Sequence, residues 1–217
     1  MKSRNSWLVY LVGTLTGAIV LVAVYIAYLL FTTPQPTPLI ITPQAVLNGI
    51  TVIEPPLPMS DFMLNDQQNE PIQLSDLAGK PTLLTFGFTH CPDVCPITLG
   101  EMRNIHEALG ANADALNFVF ISVDGERDTP DILRDYFELL HVDSFLVGMT
   151  GTPEAVRELS AEYGVEFIYN EADENGNYDV SHTAGMFLLD ANQNWIRRYT
   201  YGTLAQVITA DIEPLLN

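Results

Sequence analysis

The sequence predicts an α/β fold in which a central mixed sheet is flanked by helices, behind one N-terminal transmembrane helix. Three observations predict it. Residues 7–31 carry no charge, strand and helix patterns alternate from residue 82 to residue 169, and the chain closes with two strands and a helix. Strands alternating with helices imply parallel βαβ units. A length of 217 residues suits one domain plus an extra segment.

The expected order begins with a short cytoplasmic N-terminus, residues 1–6, holding Lys2 and Arg4. The run 7–31 would span about 37 Å as a helix, against about 30 Å of hydrocarbon. A cleaved secretory signal has a shorter apolar core and small residues at its end. The end of this run, Ala27-Tyr28-Leu29-Leu30-Phe31, has no such pattern, so an uncleaved anchor is expected. No cysteine follows the run, which argues against lipid attachment there. The next basic residue is Lys80, so the remainder is expected outside, on the periplasmic side of a bacterial inner membrane.

All 27 acidic residues follow the run, with seven of the nine basic ones, leaving a formal charge of −20 on that part. Nucleic-acid binding needs a basic footprint and is excluded. Solubility is the plain reading of this charge; steering toward a basic partner or a cation is the sharper one.

Residues 32–54 read as a stiff proline-rich spacer, and residues 55–217 as the folded domain. An extra N-terminal hairpin is expected from 61–64 and 71–74 around a polar turn. Residues 82–88 read as a buried strand, 91–96 as a loop and 97–109 as a helix. A second buried strand covers 116–123. The helix 129–140 has Thr129 as cap and Pro130 in its first turn. A strand at 145–149, a helix at 152–163 ended by Gly164, and a strand at 165–169 follow. Strands 185–189 and 195–201 form a hairpin, and 204–215 a last helix. A βαβ half, then a β-hairpin and a terminal helix, is the thioredoxin-like order.

The chemistry concentrates in Phe86-Gly87-Phe88-Thr89-His90-Cys91-Pro92-Asp93-Val94-Cys95-Pro96, which follows a strand and opens a helix. A helix N-terminus favours thiolates. Thiolates are both nucleophiles of disulfide exchange and soft metal ligands. A two-residue gap is the redox spacing of thioredoxins. Here three residues intervene, which lets both sulfurs converge on a small ion. Two thiolates suit Cu(I), and an added imidazole suits Cu(II) as well; zinc would want a fourth ligand. These are the only two cysteines, and a structural staple would usually close a longer loop.

This segment resembles the signature of the SCO/SenC proteins, copper-binding assembly factors of cytochrome c oxidase. Ser122-Val123-Asp124-Gly125-Glu126-Arg127-Asp128-Thr129-Pro130 and Tyr178-Asp179-Val180-Ser181-His182-Thr183 resemble two further motifs of that family, in the same order. The resemblance implies one copper ion held by Cys91, Cys95 and His182. His90 is expected to point away from such a site, and His106 and His141 to be solvated. Asp124 reads either as a carboxylate that orients His182 or as a turn residue. Arg127 and Asp128 read as structural, a salt bridge and a helix-entry cap. Three positions depart from the family. Gly125 replaces a proline, which suggests a looser turn, and Ser181 and Thr183 replace Asp and Ser, which removes an acidic neighbour of His182.

By the same resemblance the expected function is a copper metallochaperone that receives the ion from a donor protein and delivers it to subunit II of cytochrome c oxidase. The alternative is a membrane-tethered thiol-disulfide oxidoreductase acting on that subunit's cysteines, for which His182 is not needed. A one-cysteine peroxidase would call for an activating Arg or Thr near the nucleophile; Thr89 is close, but no arginine is evident.

Overall fold

A computed structural model describes residues 18, 20–26, 28 and 49–216. The chain divides into two compact units, Met1–Pro38 and Leu39–Asn217. In the first, residues 20–26 are helical and their side chains exposed. Most of the expected anchor lies outside the described residues, and among these no helix is long and apolar enough to cross a membrane.

The second unit is built on an eight-stranded mixed sheet with the order β1-β10-β9-β4-β5-β6-β2-β3. Its strands are β1 (Ile50–Pro58), β2 (Met63–Asp66), β3 (Pro71–Gln73), β4 (Thr82–Gly87), β5 (Asn117–Ser122), β6 (Leu146–Thr150), β9 (Gly185–Leu189) and β10 (Asn194–Thr200). β4, β5 and β6 are parallel, and the others pair antiparallel. A separate two-stranded ribbon joins β7 (Phe167–Tyr169) to β8 (Val180–His182). The α-helices are α1 (Val94–Leu109), α2 (Pro130–Leu140), α3 (Pro153–Glu162) and α4 (Ala205–Ile212). This is the thioredoxin-like α/β arrangement with a mixed central sheet.

The alternation of side chains along a strand builds two cores. Leu84 and Phe86 of β4, with Val119 and Ile121 of β5, face α3 through Val156 and Leu159. Leu83, Phe118 and Phe120 face the opposite side, against Leu99, Met102 and Ile105 of α1, Leu133 and Phe137 of α2, and Ile208 of α4. β4 is buried at every position, as a strand covered on both faces must be.

The Thr129 cap read from sequence is present, and Thr152 caps the next helix in the same way. Thr129 Oγ1 accepts from the Ile132 amide and Thr152 Oγ1 from the Ala155 amide, each followed by proline at the first helical position.

Three elements differ from expectation. β1 begins at Ile50, ahead of the expected domain start, and pairs with β10 despite Pro55, Pro56 and Pro58. It tolerates them because it is an edge strand whose register breaks between Val52 and Leu57. α1 starts at Val94 and includes Cys95 and Pro96, because proline is tolerated in a first helical turn. β8, which carries His182, had no recognisable strand pattern over its three residues.

Candidate metal centre

β4 runs through Gly87 to Phe88, and the chain then turns into α1. A methyl group at Gly87 would lie 2.7 Å from the Phe120 ring and 3.0 Å from Cys95 Sγ. Glycine is what allows the Cys95 sulfur to seat on the strand end. Cys95 is buried in the first turn of α1 at 3% exposure, and Cys91 in the preceding loop is half-buried. The Cys95 amide donates to Cys91 Sγ at 3.4 Å, as an unpaired amide at a helix start can. Both cysteines are free thiols.

His182 ends β8 with Nε2 3.7 Å from Cys95 Sγ. Its ring meets Phe88 edge-on, with centroids 5.9 Å apart. Nδ1 lies 3.1 Å from the Thr183 carbonyl oxygen. A carbonyl only accepts, so Nδ1 carries the proton and Nε2 turns its lone pair toward the sulfur.

Burial pushes the Cys95 thiol far above its ordinary value, against the pull of a backbone hydrogen bond from Phe88. Burial lowers the pKa of His182, opposed by its bond to Thr183 and by Asp179. The resting pair is therefore a neutral thiol facing a neutral imidazole. Cys91 and His182 line one cleft together with Phe88, Pro92, Val180 and Ala184. Among the described residues, no three His, Cys, Asp or Glu side chains already form a closed metal-binding group. The donor set nonetheless fits a soft ion: two sulfurs, one nitrogen with a free lone pair, and access from the cleft.

The carboxylates have other partners. Asp124 is fully buried and makes no hydrogen bond to His182; Arg127 Nε donates to its Oδ2 at 2.6 Å and Tyr178 Oη to its Oδ1 at 2.7 Å. Asp128 does not cap α2, a role that Thr129 fills. Its carboxylate accepts from the Thr89 amide at 3.0 Å, from Thr89 Oγ1 at 2.6 Å and from Ser122 Oγ at 2.6 Å. It thus fastens the cysteine loop to the end of β5, a role that only the folded contacts reveal. His90 is exposed, with Nδ1 near Thr89 Oγ1. His141 is exposed, but His106 stacks on Phe145 at 4.2 Å rather than standing free in water.

Two of these departures, Gly125 and Ser181, have a structural meaning. A Cβ at Gly125 would fall 1.8 Å from the Gly151 carbonyl oxygen, so the turn is tight rather than loose. Ser181 is exposed and accepts from Asn170 Nδ2 at 3.2 Å, on the opposite side of β8 from His182. Because the His182 proton goes to a backbone carbonyl, an acid at position 181 is not needed to hold the ring.

Comparison with known proteins identifies the family. The SCO1/SenC family model matches residues 52–217. An SCO2-like protein of Rickettsia felis is 33% identical over 161 residues, covering 73% of this chain and 78% of its own length. A protein of Stutzerimonas stutzeri named as a putative copper-binding protein is 38% identical over 127 residues, 58% of this chain and 61% of its own. The copper-bound structure of ScoI from Bradyrhizobium japonicum superimposes with a TM-score of 0.66 at 34% identity, covering 73% of this chain and 99% of that one. A cysteine pair at a strand-to-helix turn, a histidine brought to it from late in the chain and a family match over the whole folded unit lead to one conclusion: this chain belongs to the SCO1/SenC family.

Proposed function

We propose that this protein is a copper carrier for the assembly of cytochrome c oxidase, binding one ion through Cys91, Cys95 and His182. The observation that carries the reading is the 3.7 Å approach of His182 Nε2 to Cys95 Sγ, with the ring proton held on the other nitrogen. A binding role needs that imidazole. Disulfide exchange does not. The copper-bound relative with the same fold supports the choice of ion.

Copper is cargo here. Uptake displaces the Cys95 proton, and the half-buried Cys91 stands where a receiving thiolate enters from the cleft, shares the ion and takes it. The receiver in this reading is subunit II of the oxidase. Residues 7–31 tether the domain on the outer side of the same membrane, which raises its concentration at that partner.

One observation favours the thiol-reductase alternative. Cys91 accepts an amide hydrogen bond at the start of α1, the setting of an attacking thiolate, while Cys95 is buried as a resolving thiol would be. The test is anaerobic titration of the reduced full chain with Cu(I) and Cu(II), repeated with His182→Ala. The expected result is one copper per chain, with Cu(II) affinity falling by more than about tenfold in the variant. Unchanged binding in the variant removes His182 from the site. A parent that binds no copper but reduces a model disulfide establishes the reductase instead.

A further inference from the structure

β7 and β8 form a ribbon separate from the main sheet, and each strand is three residues long. A ribbon this small is marginal by itself. The place of His182 therefore depends on what fastens the ribbon to the domain.

On β7, Phe167 is buried in the core and held by Arg157, whose guanidinium lies over its ring and donates to its carbonyl. Tyr169 Oη donates to the Val123 carbonyl at 2.7 Å. On the limb that carries His182, Val180 is buried, and the polar tie is Tyr178. The Tyr178 hydroxyl reaches the fully buried Asp124, while Arg127 lies 3.7 Å over its ring and donates to its carbonyl at 2.8 Å. Arg127 also forms the ion pair with Asp124. These residues interlock: a buried carboxylate demands partners, and here they are a guanidinium from its own turn and a phenol from the distant loop.

We propose that Asp124, Arg127 and Tyr178 form a latch that holds the His182 limb at the cysteine pair and so sets the preference of the site between Cu(II) and Cu(I). None of the three touches His182; they are positioning residues. The proposal rests on the copper-carrier reading. Two thiolates satisfy Cu(I), whereas Cu(II) gains from the imidazole, so loosening the imidazole should weaken one oxidation state selectively.

The test is Tyr178→Phe in the full chain. This variant keeps the ring under Arg127 and leaves Asp124 its ion pair, so the fold is retained. Cu(II) affinity should fall about tenfold, the usual scale for losing an outer partner of a ligand. The sulfur-to-Cu(II) charge-transfer band should shift, and Cu(I) affinity should stay within about twofold. In the metal-free protein, the proton NMR contact between the His182 and Phe88 rings should weaken. Arg127→Lys, which retains the charge but loses the planar stack, should show the same selectivity to a smaller degree. Equal losses for both oxidation states in step with the melting temperature, or no loss for either, overturn the latch. If the parent binds no copper, the carrier reading fails. The ring contact then decides the latch: its persistence in Tyr178→Phe overturns the latch and its loss supports the positioning role.

Discussion

The cysteine limb and the histidine limb of the proposed site are built differently. Cys95 lies in the first turn of a sixteen-residue helix, over a fully buried strand, with its loop bolted to β5 by three hydrogen bonds to Asp128. His182 ends a three-residue strand in a ribbon outside the main sheet. One donor is fixed by the core itself, the other by side-chain ties between a turn and a loop. Under the proposed carrier role, the firmly held limb would keep the ion while the lighter limb yields to a receiver.

The comparison can be broken first at Gly87. Gly87→Ala places a methyl against the buried Phe120 ring and Cys95 Sγ, so these must shift. A loss of about 2 kcal/mol in urea unfolding is expected, with Cu(I) and Cu(II) affinities falling together. Unaltered stability would show that the cysteine limb is softer than argued.

Acidity gives the next effect. Burial keeps the Cys95 proton on the sulfur at neutral pH, and only the thiolate ligates, so copper binding at the proposed site must release that proton. Apparent affinity should rise with pH, by up to about tenfold per unit for each proton displaced, and fall as pH drops. The His182 pKa is lowered, so its protonation intervenes only in more acidic solution. Affinity independent of pH between about 6 and 8 would rule out a buried protonated thiol as ligand.

The smallest effect is expected at position 181. Ser181→Asp restores the acid common in the family, but on the face of β8 turned away from the ring. Both copper affinities should change by less than about twofold, close to the effect of a surface substitution. A larger gain in Cu(II) affinity would show that the side chain at 181 reaches the imidazole after all.

Much of this was legible in the sequence because the signals are local. The apolar runs of β4 and β5, and the Thr-Pro starts of α2 and α3, fix the βαβ half. The two cysteines declare themselves by spacing. What was not legible depends on contacts between distant segments. Residues 50–54, the first half of β1, read as spacer because only pairing with β10 makes that stretch a strand. Asp128 read as a cap because nothing in its neighbourhood announces a bond to Thr89, 39 residues away. Asp124 read either as a turn residue or as a carboxylate orienting His182, and its partners in the fold are Arg127 and Tyr178. Gly125 read as slack, while the Gly151 carbonyl that crowds it comes from beyond the next strand.

The two margins of the main sheet are β1, with Pro55, Pro56 and Pro58, and β3, which opens with Pro71. Proline offers no backbone N–H, so both open borders have fewer donors with which a neighbouring molecule could add itself as another strand. Sheet borders of this kind are guarded against strand-by-strand association between copies of the chain.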